Sequence, residues 1–135
     1  MSDKHYLDWP FLDERHRTLE RELDAWAAEH VAGHHGADVD EACRALVRAL
    51  GQGGWLRHAV AGQAHGGASD VLDTRALCII RETLARHNGL ADFAFAMQGL
   101  GSGAISLDGT AEQKQRYLSR VACQGLADDA QRPGV

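Results

Sequence analysis

Proline is almost missing from this chain, with 2 in 135 residues against 15 glycines. That balance suits closely packed helices joined by glycine turns, since a helix interior tolerates proline least of all residues. A basic surplus is missing too: 14 Lys and Arg stand against 19 Asp and Glu, a net charge of −5. This argues against a nucleic-acid partner, whose binding draws on a cationic surface that displaces counterions. No apolar run reaches membrane-spanning length, and the opening M-S-D-K-H-Y-L-D is too polar for a secretion signal. Cysteine is scarce, odd in number and scattered at Cys43, Cys78 and Cys123. On apolar helix faces these are expected to be reduced, buried thiols of a cytoplasmic protein, not a disulfide or zinc framework. Strand-like alternation and internal repeats are lacking as well.

What is present is helical. Length fits one domain, and an apolar share of 44% with 24% charged residues fits a globular one. Asp8-Trp9-Pro10 reads as a helix start, followed by Leu12, His16, Leu19, Leu23, Trp26, Ala27 and His30 at helical spacing until Gly33. Asp38 caps a second helix with the stripe Val39, Ala42, Cys43, Leu46, Val47 and Leu50, ended by Gly51, Gly53 and Gly54. A flexible loop is expected over 59–69. Asp70 or Asp73 opens a third helix carrying Leu72, Ala76, Leu77, Ile79, Ile80, Thr83 and Leu84, with Asn88-Gly89 as a left-handed stop. The fourth, over 90–105, is nearly uncharged and apolar almost all round, which marks a helix buried on several sides. In the fifth, Thr110 and Gln113 form a capping box, and Lys114, Tyr117, Leu118 and Val121 share one side. The expected fold is all-α, an antiparallel bundle of about five helices.

Chemical motifs are sparse. His30, His34 and His35 suggest metal ligation, with Asp38 as an oxygen donor, but glycines interrupt the helix there and no H-E-x-x-H or paired E-x-x-H exists. Asp13 and His16 make only a single acid–histidine pair. No metal site is expected. The run Gly99-Leu100-Gly101-Ser102-Gly103-Ala104 looks like a dinucleotide loop, yet the strands that motif requires are missing, so tight helix packing is the expected use of these glycines. No nucleophile motif appears, and no carboxylate stands apart from the solvated helix faces as a catalytic base.

Several motifs occur in a telling order: L-V-R-A-L-G-Q-G-G-W-L at 46–56, V-A-G-Q-A-H-G-G at 60–67, I-I-R-E-T-L-A-R at 79–86, and G-T-A-E-Q-K with Tyr117-Leu118 at 109–118. With the long opening helix, this series resembles the N-terminal helical domain of acyl-CoA dehydrogenases over residues 6–123. The resemblance implies an FAD-dependent enzyme that removes α and β hydrogens from an acyl-CoA thioester, a glutamate taking the proton and the flavin a hydride. It also implies that this domain carries no catalytic base and few flavin contacts. Phe93, Ala96, Met97, Gly99 and Leu100 would line the far end of the acyl pocket.

Two departures stand out. Val60-Ala61 lacks the family's proline, and after Cys123 the family's T-E-P…G-S-D flavin segment does not follow. The expectation is therefore a reading frame lost near Cys123–Gln124, or a split or excised N-terminal piece, with 124–135 an unstructured tail. Such a piece would be inactive alone, awaiting a flavin-domain chain or belonging to a homo-oligomeric parent. Its apolar faces over 71–84 and 91–105 would meet water, favouring self-association. The rival expectation is a non-enzymatic helical module that binds a partner chain.

Overall fold

The computed structural model describes residues 3–33 and 38–124. His34, His35 and residues 125–135 lie outside the described part, so the histidine cluster and most of the expected tail are not addressed by it. Four long helices follow one another: α1 (Glu14–His30), α2 (Val39–Gln52), α3 (Thr74–His87) and α4 (Gly89–Asp108). A fifth helical stretch begins as α5 (Ala111–Gln113), widens into a π-helical turn over Lys114–Leu118, and ends as α6 (Ser119–Gln124). Gln124 thus closes a helix and does not open a tail. Among the described residues the only β pairing is an isolated bridge between Ala61 and Ser69. The all-helical class is as the sequence implies.

The first helix starts later than Asp8 suggests. His5–Asp8 form a separate 3-10 turn, and α1 is capped by Asp13 through a reciprocal box. The Asp13 carboxylate accepts from the Arg15 amide, while the Asp13 amide donates to His16 Nδ1 at 3.1 Å. His16 is buried, and its Nε2 lies 3.1 Å from Asp73, which itself caps α3. At the other end, Asn88 Nδ2 donates to the Val31 carbonyl at 2.9 Å. Tied at both ends, α1 and α3 run side by side in the same direction. Glu20 is buried between them, held by Lys4 and Arg86, each at 2.7 Å. Two cations on one buried carboxylate offset the cost of removing it from water.

Asn88 is also not the left-handed stop the Asn-Gly pair suggests. Its backbone is extended, with φ −159°, and its side chain caps α4 by accepting from the Leu90 and Ala91 amides. α3 therefore turns straight into α4 as a hairpin, with Arg81 reaching Asp92 across it. The main core gathers Leu23, Ala27 and Val31 of α1, Leu46 and Leu50 of α2, Ile80 and Leu84 of α3, and Ala91, Ala94 and Phe95 of α4. A smaller cluster seats Leu118, Val121 and Ala122 on Val60.

Other expectations change with burial. Val39 is 61% exposed, because the first turn of α2 projects past the core. Cys43 is half-buried and Cys78 and Cys123 are exposed, all three free, so the thiols sit at the margins of the apolar faces and not beneath them. Leu72 precedes α3 and is exposed. The 59–69 segment is closed by its own bonds: Gly62 donates to Ser69, Gly67 to Gly62 and Ala68 to Arg57. Gly67 is obligatory there, since a Cβ would lie 2.4 Å from the Val60 carbonyl oxygen.

Candidate functional site

α4 begins at the Asn88 cap and presents one apolar face to the core and another to the outside. Its core side carries Ala91, Ala94 and Phe95. Outward lie Phe93 at 53% exposure, Leu100 at 71% and Leu107 at 86%, with Met97 beside them. The helix is thus buried on one side only, contrary to the reading from its all-round apolar composition. Tight packing does not explain its glycines either. A Cβ at Gly99 would make ordinary contact with Ala59 at 3.7 Å, and one at Gly103 would meet nothing within 4 Å.

Phe93, Ala96, Met97, Gly99 and Leu100 come together along one open groove of about 410 Å³ between α4 and α3. The opposite wall is Leu72, Leu77 and Arg81, and Ala59 lies at the floor. This volume falls within the roughly 300–1,000 Å³ of ordinary ligand pockets. Sequence periodicity assigns Leu72 and Leu77 to the core stripe of α3; Leu77 does pack against the main core while lining the groove, whereas Leu72 precedes the helix and is exposed. Arg81 is the one charged side chain in the lining. Its Nε and Nη2 are bonded to the two Asp92 oxygens at 2.8 and 3.0 Å. The groove therefore offers apolar walls and a neutralised rim, suited to an uncharged hydrocarbon group.

Two other depressions hold none of the five α4 residues. A cleft of about 520 Å³ of mixed lining lies at the start of α1 and α3, with His16, Trp55, His58 and Asp73 in its walls. Both His16 nitrogens are occupied in tying those helix starts together. Burial, the largest single influence on Asp73, raises its pKa. Hydrogen bonds from His16, from the Ala76 and Arg75 amides and from the Arg75 side chain outweigh it, leaving the carboxyl below its usual range. An aromatic groove of about 330 Å³ is formed by Tyr6, Trp9 and Phe11 over Cys78 and Ile79. Its polar residues Arg75 and Glu82 are bonded to the Phe11 carbonyl and the Tyr6 hydroxyl, so it too presents an apolar surface, smaller than the α4 groove. Among the described residues no group of three His, Cys, Asp or Glu is placed to hold a metal ion.

The match to a family model settles the family: acyl-CoA dehydrogenase, N-terminal domain, over residues 13–124. This chain belongs to the acyl-CoA dehydrogenase family. It is 32% identical over 117 residues to a protein of Mycobacterium leprae (strain TN) described as probable acyl-CoA dehydrogenase fadE25. That match covers 84% of this chain and 29% of the relative, so the chain spans less than a third of that protein's length. FAD can be tested against this acyl-CoA dehydrogenase domain directly. A dinucleotide's diphosphate needs free cations or loop amides, but the glycine run at 99–103 lies inside α4 and Arg81 is bonded to Asp92. Neither the glycine run nor Arg81 therefore offers a diphosphate the amides or the free cation it needs. No described helix is long and apolar enough to cross a membrane.

Proposed function

We propose that this domain forms the acyl-chain wall of an FAD-dependent acyl-CoA dehydrogenase, an oxidoreductase acting on the CH–CH group of acyl-CoA thioesters. The observation that carries the reading is that Phe93, Ala96, Met97, Gly99 and Leu100 line one apolar groove. In such an enzyme the flavin supplies the hydride acceptor. The part of this domain is to bind the hydrocarbon end of the substrate and keep water from it, each buried methylene contributing about 0.8 kcal/mol. With no carboxylate among the residues lining the groove, the chain alone is inactive on this reading and completes its site with flavin-bearing and base-bearing parts, in the same parent or another chain. Three free cysteines support a reducing, cytoplasmic setting.

The test is a graft of residues 13–124 in place of the matching segment of the mycobacterial relative, with and without Ala96→Trp. The indole would fill the groove, so kcat/KM for long acyl chains should fall at least tenfold relative to short ones. An unchanged chain-length profile would overturn the assignment. The exposed apolar face of α4 also supports the second reading, a helical module that binds a partner chain without thioester chemistry; it predicts a graft with no activity on any acyl-CoA.

A further inference from the structure

The 3-10 turn Trp55–Ala59 is a wall of two cavities at once. Trp55 and His58 line the cleft at the starts of α1 and α3, while Ala59, the next residue, is the floor of the α4 groove. Residues three apart eclipse in a 3-10 turn. Here that brings the rings of Trp55 and His58 together, near-parallel with centroids 6.4 Å apart. On the other side Ala59 is buried, 3.7 Å from where a Cβ on Gly99 would stand. Leu56 anchors the turn in the main core. The Arg57 carbonyl accepts from the Ala68 and Val60 amides at 2.9 and 3.4 Å, and Arg57 Nε donates to the Gly66 carbonyl.

A proton on His58 disturbs this arrangement. Burial disfavours charge on the ring, Arg57 adds to that effect, and Asp73 opposes it. The other charged or titratable groups around the cleft are Glu14, Arg15, His16 and Glu22, all on α1. Although α2, α4 and α6 also pack on the turn, no charge from their described residues acts on the ring. Asp73 is already bonded to His16 and Arg15. The main gain open to a charged imidazole is therefore to leave Arg57 and reach water in the cleft. That movement gives up the stack on Trp55, a side-chain contact that closes the turn.

We propose that this turn is a pH-sensitive link between the two cavities: protonation of His58 swings its ring off Trp55 into the cleft, loosens the turn and lets Ala59 move off Gly99, reshaping the groove floor. The proposal rests on the shared turn and not on the acyl reading, and its failure leaves that reading in place. NMR titration of the full chain from about pH 8 to pH 5, the range in which histidine changes charge, tests it. The His58 ring should titrate below 6.5, and the Ala59 and Gly99 amide signals should move with the same midpoint. Hydrogen-exchange protection of the Val60 and Ala68 amides should fall about threefold or more below that midpoint, because local opening exposes them. His58→Gln and His58→Phe, both uncharged, should lose these steps, and His65→Gln should keep them. Steps that survive in the His58 variants, a Gly99 signal that stays still, or an imidazole that stays neutral until the protein unfolds would each overturn the link. A moving signal with unchanged protection would overturn it too, by showing only the field of the new charge. Circular dichroism confirms that each variant is folded, and the shared midpoint and protection of the unmodified chain decide the matter if one is not.

Discussion

Burial holds the His58 imidazole below its ordinary value of 6.5, and Arg57 pushes the same way against a weaker pull from Asp73. The ring lies near-parallel to Trp55, with centroids 6.4 Å apart. The native protein therefore keeps His58 neutral at a pH where the unfolded chain takes up a proton. Stability from this source is intact above 6.5 and is lost as pH falls through the lower folded value. Urea unfolding is expected to show a decline as pH falls below 6.5, and His58→Phe should flatten it. An identical slope in the variant would assign the effect to another group. Asp24 acts further into acid. Its hydrogen bond with His87, followed by that from Lys4, lowers its carboxyl below 3.8 against the opposing effect of burial. Its contribution is present above that value and lost below it.

Asn88 joins three helices. Its side chain caps α4 and its amide satisfies the last carbonyl after α1. Asn88→Ala should cost about 2–3 kcal/mol, roughly 1 for the cap and the remainder for a buried carbonyl left without a donor; urea denaturation reads this directly, and a loss under 0.5 would show that water replaces both bonds. The sequence showed an Asn-Gly pair and nothing of Val31, 57 residues away, so the local rule for a left-handed stop misled. Where the partner is near in sequence, the outcome differs. Thr110 with Gln113, and the Asp38 cap, were legible because each bonds within three residues. Asp8 and Asp13 both resemble caps by composition. His16 completes the box only at Asp13, and its tie to Asp73 belongs to tertiary structure.

For the whole molecule, burial decides what a given residue is worth. Leu84 and Leu107 are the same side chain on neighbouring helices, yet Leu84 is fully buried and Leu107 fully outward. Leu84→Ala should cost about 2–5 kcal/mol by emptying the main core, whereas Leu107→Ala should stay within about 0.5. Both are measured by urea unfolding; equal losses would mean that the outer face of α4 is as covered as the inner one. The groove was legible only in part. Phe93, Ala96, Met97, Gly99 and Leu100 were carried over from the family resemblance, but Phe95, Leu72, Leu77 and Arg81 were not, because periodicity reports which face of a helix is apolar and not which neighbour it meets. By itself the sequence determined the helical class, most caps and the family, since these depend on spacings of three or four residues and on motif order. Tertiary structure alone decided which apolar face of α4 is core and which is open. On a helix apolar all round no local signal separates the two, and only the position of α3 beside α4 does so.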